Sequence, residues 1–315
     1  MIREIFSYPV TRPNVRSSFN HIPVTTAGAL TPITQNAPAT SFVYTPLFFL
    51  FIAVVQSWCA EPVRNTGQPM TVPIHCTDDD IAQAGLTCSE EAPCPVYVDL
   101  TAVAALGGKV FVTGNLHAES ATLYSLLMES DDAGETWTEP VARIRGAGLD
   151  LIQFPDFEHG WISGEMLEPL ARDPFFLRTS DGAKSWRLQP IFEDGTAGSI
   201  QAFWFEGPSS GSLVLDKGNN GSARYQLFES PTCGDTWTIR ESSEKPIRIR
   251  SMPPPGTGAW RVRADSKSHS FLIEKADGEH WKPVGSFLIS AGACKPGEPA
   301  EAPKDSEHPK AEHPK

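Results

Sequence analysis

The sequence predicts an all-β fold, a propeller of four-stranded blades, from three observations: recurring tryptophans, glycines in step with them, and short apolar runs between. Trp137, Trp186, Trp237 and Trp281 lie 49, 51 and 44 residues apart. Each ends a turn-like octapeptide: SDDAGETW, TSDGAKSW, SPTCGDTW and EKADGEHW. A glycine precedes each (Gly108, Gly160, Gly211, Gly258), flanked by runs of four to seven apolar and aromatic residues. Such runs, bounded by Gly, Pro, Asp and Ser, carry the strand signal. Four runs per unit at this period fit one four-stranded sheet per repeat.

The elements follow in order. The segments 96–100, 149–154, 200–205 and 247–252 are read as the first, innermost strand of each blade, so that the blades span about 96–145, 146–195, 196–245 and 246–290. A second run follows each glycine, a third enters each octapeptide, and a fourth follows each tryptophan. Nothing sustains a helical period, apart from an ambiguous stretch at about 78–85. No strand is evidently shared between the first and last blades. Residues 70–76 could supply an extra strand, and a disulfide from there to Cys294 would staple the ends.

The chain's ends have a different composition. Residues 1–60 hold Arg3, Arg12 and Arg16 against the single acid Glu4, and end in the apolar run Leu47–Val55. That run is too short to span a bilayer as a helix. It fits the apolar centre of a signal peptide, with small residues near Cys59-Ala60 as a cleavage region, or an N-terminal anchor. Export to a secreted or periplasmic setting is the expectation, the membrane being met only through this segment. Residues 61–95 form a cysteine-containing lead into the blades, where Cys76, Cys88 and Cys94 stand close enough to supply a disulfide. Residues 295–315 are proline-rich and charged, without large apolar side chains, and read as a disordered tail.

A formal charge of −12, with no run of Lys or Arg, excludes a nucleic-acid partner. Cys88 and Cys94 lack the spacing of a zinc site, and no metal, cofactor or catalytic residue is assigned.

The octapeptides resemble the Asp box, S-x-D-x-G-x-T-W, of sialidases, sortilin-type receptors and the photosystem II stability/assembly factor family. The first copy matches fully: Ser130, Asp132, Gly134, Thr136 and Trp137. The second keeps Thr179, Asp181, Ser185 and Trp186, with Ala183 where glycine belongs. The third keeps Ser230, Gly234, Thr236 and Trp237, with Thr232 for aspartate. The fourth keeps only Gly278 and Trp281. In such a turn the side-chain oxygens accept bonds from turn amides, glycine takes a positive φ, and tryptophan packs. The resemblance to the assembly factors, extended by PDFEHGWISGE at 155–165, implies an exported, non-catalytic propeller that binds a protein partner in the cell envelope. The alternative is a sialidase-like glycoside hydrolase. Those enzymes group several arginines with a Tyr–Glu pair, and Arg143-Ile144-Arg145 does not match their Arg-Ile-Pro motif. Counting back from the glycines places Asp150, Gln201, Arg248 and Arg250 at one mouth of the channel, as a candidate binding surface.

Overall fold

The computed structural model describes residues 61–167, 170–192, 195–218, 223–249 and 259–297. The proposed signal or anchor segment, Cys59, most of the tail and Arg250 lie outside them.

The lead-in holds β1 (Val63–Arg64) and one helix, α1 (Asp78–Gln83). Thr77 starts the helix through a capping box with Asp80, which resolves the ambiguous stretch. The first sheet contains β2 (Cys94–Leu106), β3 (Lys109–His117) and β4 (Thr122–Ser130), while the short β5 (Thr136–Trp137) pairs with β1 in a two-stranded sheet of its own. Next to β5, Thr138 exchanges backbone hydrogen bonds with Glu129 of β4. The second sheet is β6 (Ala147–Gln153), β7 (Gly160–Leu167), β8 (Ala171–Thr179) and β9 (Arg187–Pro190). The third is β10 (Ser199–Phe205), β11 (Gly211–Asp216), β12 (Tyr225–Ser230) and β13 (Thr238–Ser243). The fourth is β14 (Trp260–Asp265), β15 (Ser270–Asp277) and β16 (His280–Leu288), followed by β17 (Ser290–Cys294). The second, third and fourth sheets are antiparallel meanders of sequence neighbours, the first is β17-β2-β3-β4, and together they form a β-propeller. The inner strand expected at 247–252 is only partly described; 247–249 are not in a strand.

Burial explains how the blades stack. One apolar cluster joins Val98, Val112 and Leu126 of the first blade to Ile273 and Phe287 of the fourth. A second joins Phe111 and Leu127 to Leu149, Ile162 and Phe175 of the second blade. A third joins Trp161 and Phe176 of the second blade to Phe203, Phe205 and Leu213 of the third. Alternation along each strand makes this possible, because successive side chains face opposite neighbours.

Closure differs from the sequence reading. β17 leaves the fourth blade and pairs with β2 of the first, Cys294 opposite Cys94. The last strand of the described chain is therefore shared with the first blade. Residues 70–76 supply a single parallel bridge, Met70 to Phe287, rather than a strand. Cys76 is disulfide-bonded to Cys294 and Cys88 to Cys94, while Cys233 is free.

Candidate binding surfaces

The octapeptide turns build the blade edges. In the first, Ser130 Oγ accepts from the Gly134 amide at 2.8 Å, and Asp132 accepts from the Thr136 amide at 2.8 Å and its hydroxyl at 2.6 Å. In the second, Thr179 accepts from the Ala183 amide at 3.0 Å, and Asp181 from the Ser185 amide and hydroxyl at 3.0 and 2.5 Å. The third uses Ser230 on the Gly234 amide, while the Thr232 hydroxyl replaces the carboxylate at the Thr236 amide, 2.9 Å each. The hydroxyl of Thr136 and then its amide hold the Asp132 carboxyl down at about 2; the hydroxyl and amide of Ser185 do the same for Asp181. Two consecutive residues take positive φ in each turn: Ala133-Gly134, Gly182-Ala183 and Cys233-Gly234. The second turn keeps its glycine, displaced by one position.

The three tryptophans point backwards round the ring. Trp137 meets Phe287 of the fourth blade edge-on at 5.4 Å. Trp186 meets Phe111 of the first, and Trp237 meets Phe176 of the second. The recurring glycines complete this stack: a Cβ at Gly160 or Gly211 would meet the ring of Phe154 or Phe205 within 2.6 Å. In the first blade the register equivalent is Val110, which pairs with Ser130 as Gly160 pairs with Thr179; Gly108 is two residues out of step.

The fourth octapeptide does something else. Asp277 pairs with His280, so Gly278-Glu279 forms a two-residue hairpin. With Glu274 where Ser or Thr would stand and Ala276 where Asp would, no side-chain oxygen is placed to gather the turn amides, and Asp-Gly favours a tight hairpin. Trp281 is half-buried under the Arg261 guanidinium, 4.1 Å from the ring centre, and is absent from the described interblade clusters.

A cavity of about 880 Å³ opens where the inner strands converge. Its walls include Ala104, Ile152, Phe154, Phe203, Ile247 and Ile249, and its polar groups include Gln153, Gln201 and Arg248. Gln153 is committed to the Phe205 backbone through bonds of 2.9 and 3.0 Å. Arg248 is exposed and has no ion pair among the described residues.

Inner-strand bulges set which side chains share a level. The ladders skip one or two residues after Leu100, Leu149 and Ile200, releasing Thr101, Asp150 and Gln201. Of the four residues expected at one mouth, Gln201 and Arg248 line the same cavity. Asp150 does not line it; its carboxyl lies beside that of Glu165 on β7. Burial, and then the nearby Asp150 charge, push the Glu165 carboxyl up to about 9; burial and the Asp99 charge also raise Asp150. Spacing gave no sign of Glu165, because the partner of Asp150 is set by the bulge.

A second polar cluster ties α1 to the first blade. Tyr124 donates to Asp80, and Arg145 reaches both Asp79 and Asp80 at 2.6 Å. Burial and the Asp80 hydrogen bond raise Tyr124 to about 12, so its hydroxyl stays a donor. Burial opposes ionisation of Asp80, but bonds from Tyr124 and Thr77 and the Arg145 charge outweigh it and lower its pKa. Arg143 is engaged with Glu139 and the Pro73 carbonyl.

No family model matches the chain, and no curated protein matches it. Among solved structures, it is similar to YCF48 bound to D1 peptide, at 20% identity and TM-score 0.35, covering 61% of this chain and 54% of that one. YCF48 from Cyanidioschyzon merolae is similar at 18% identity and TM-score 0.30, covering 61% and 56%. The GH74 xyloglucanase from Xanthomonas campestris is similar at 12% identity and TM-score 0.29, covering 70% and 43%. The chain thus spans about half the length of these proteins, and its propeller fold rests on its own sheets rather than on these likenesses. Among the described residues no helix is long and apolar enough to cross a membrane.

Proposed function

We propose that this chain is an exported, non-catalytic propeller that binds a protein partner of the cell envelope at its central cavity. The observation carrying this reading is the cavity itself. Segments of all four repeats supply apolar walls, and Gln201 and Arg248, which has no ion pair among the described residues, offer polar anchors at its edge. Apolar concave surfaces with a few convergent polar groups are where ligands bind, and arginine is favoured at interface hot spots. On this reading the turns are Asp boxes with a packing role, and the two disulfides are compatible with an oxidising compartment.

The test is affinity capture from envelope extracts with the wild-type chain, R248A and F203A. A partner retained by the wild type and reduced at least tenfold with both variants supports the reading. Equal capture by all three would move the partner off the cavity, and hydrolysis of a glycoside by the purified chain would replace the reading with an enzymatic one.

A further inference from the structure

Four cysteines meet where the ends of the ring are joined. Cys76 is bonded to Cys294 and Cys88 to Cys94, and the β17–β2 ladder sets Cys294 directly opposite Cys94. Residues directly opposite in an antiparallel pair turn their side chains to one face, with Cβ atoms about 4.5–5.5 Å apart. A disulfide needs about 3.5–4.5 Å between Cβ atoms. Cys94 and Cys294 therefore each have a second sulfur within a small shift of bonding distance, besides the one they hold. Further contacts fix the place: the Val98 amide donates to the Ile289 carbonyl at 2.7 Å, and the Gly297 amide to the Asp78 carboxylate at 2.8 Å.

The two bridges differ in access. Cys76 and Cys294 are buried. Cys88 and Cys94 are half-buried, and the loop between them exposes Glu90, Glu91 and Ala92. A thiol reductant must reach a sulfur to attack it, so Cys88–Cys94 is the bridge open to it while Cys76–Cys294 is shielded.

We propose that this clasp is a thiol–disulfide switch, in which reduction of Cys88–Cys94 moves the ring closure from Cys76–Cys294 to Cys94–Cys294. The reductant is a dithiol. Its thiolate attacks the Cys88 sulfur, and the electron pair of the broken bond leaves on Cys94. Its second thiol then releases Cys88 and closes the reductant's own disulfide. The Cys94 thiolate next attacks the Cys294 sulfur. The Cys94–Cys294 bond forms, the Cys76–Cys294 bond breaks, and Cys76 leaves as a thiolate that takes a proton from water. This second step involves no net oxidation or reduction. One bridge and two thiols, Cys76 and Cys88, remain.

Register favours the new bridge. The strands hold Cys94 opposite Cys294 whatever their sulfurs do, which gives the attack the advantage of an oriented intramolecular reaction. The loop closed is nearly as long as before, and closure entropy grows only with the logarithm of length, so the ring stays stapled. What changes is the lead-in, which loses its covalent tie to the last strand at Cys76. Its hold then rests on the β1–β5 pairing, the Met70 backbone bonds to Ser286 and Leu288, and the contacts of Asp80 with Tyr124 and Arg145. The redox state of the surroundings is thus read at the lead-in without opening the ring. The central cavity takes no part, so the switch and the proposed partner site stand or fall separately.

The full chain is titrated with dithiothreitol, quenched with N-ethylmaleimide in mild acid, and its peptides are mapped by mass without further reduction. Cys233, free in the folded protein, is labelled at every dose and serves as the reference. At the lowest dose that opens one bridge, the expected product is a Cys94–Cys294 peptide pair with label on Cys76 and Cys88. In C94S the label on Cys76 at that dose should fall roughly fivefold or more, since the shielded bridge loses its attacking thiolate. C88S, whose Cys94 starts free, should carry Cys94–Cys294 without any reductant. Absence of the Cys94–Cys294 peptide from wild type at every dose, with Cys88 and Cys94 labelled instead, would overturn the proposal even if the variants do not fold. Equal labelling of Cys76 in wild type and C94S would also overturn it, because the reductant would then reach the buried bridge unaided.

Discussion

Removing the Cys76–Cys294 disulfide should destabilise the chain more than any other single covalent change. The bridge closes a loop of sequence separation 218, whereas Cys88–Cys94 closes one of 6. Chain-entropy bookkeeping gives about 5 kcal/mol at 25 °C for the long loop and about 2 kcal/mol for the short one. For a domain of this size each kcal/mol moves the midpoint by about 2–4 °C. C76A/C294A should therefore melt about 10–20 °C below wild type, and C88A/C94A about 4–8 °C below. Scanning calorimetry of the three proteins in oxidising buffer reads the difference directly. Repeating the scans with reductant separates the covalent effect from side-chain packing, since Cys76 and Cys294 are buried at 2% and 0% exposure. In reductant, wild type should fall to near the variants. The reasoning fails if C76A/C294A melts no lower than C88A/C94A. The β17–β2 pairing, the Met70 bridge and the Trp137–Phe287 contact would then hold the ends together unaided.

Other expectations concern the turns. G134A should destabilise by about 1–3 kcal/mol, read by urea denaturation, because its Cβ would lie 2.5 Å from Val284 Cγ1 and 2.7 Å from the Val284 carbonyl oxygen, at a φ of +94°. W186A should lower stability by about 3 kcal/mol and W281A by about 1 kcal/mol, since of the two only Trp186 meets a ring of the neighbouring blade, Phe111; equal effects would remove the distinction. Acid should loosen the first two turns late. Their aspartates are depressed in the folded state, so the stabilisation is complete above the usual carboxylate range near 4 and disappears as pH falls through about 2. Amide exchange at Thr136 and Ser185 should show this, and D132N should accelerate exchange at Thr136 while leaving Ser185 alone.

The blades were legible because each is bounded by local chemistry. Ser130, Asp132 and Thr136 close a turn through their own neighbours, and Phe154 over Gly160 leaves a fixed interval between an aromatic ring and a glycine. What escaped the sequence was non-local or weakly marked. Ser290–Cys294 is made of small residues with no strand preference of their own, and it becomes a strand only because β2 presents an open edge. The bulges escaped for a similar reason: a skipped residue has no composition, so counting from Gly160 reached Asp150 but not its partner. The fourth octapeptide misled because Trp281 survives where the turn-forming oxygens do not. A retained tryptophan does not carry its packing with it once Asp277-Gly278 turns the octapeptide into a hairpin.

That conversion bears on how the ring is held. Each working turn presses its tryptophan onto the preceding blade, which gives the described clusters between blades four and one, one and two, and two and three. By the same rule Trp281 would belong on the third blade. Instead its face of the fourth sheet carries Arg261 and Arg263 on the buried Glu274, with Arg261 lying over the indole. Charge pairs that must be desolvated contribute little net stability compared with apolar packing, so this face is the weaker adhesive. The opposite junction, where the two ends of the described chain meet, has accumulated the Cys76–Cys294 disulfide, the β17 pairing and the Met70 bridge. Stabilising features have therefore gathered where closure must be made between distant parts of the chain. The one altered turn lies on a blade joined to its predecessor by continuous chain, and there connectivity already keeps the neighbours close.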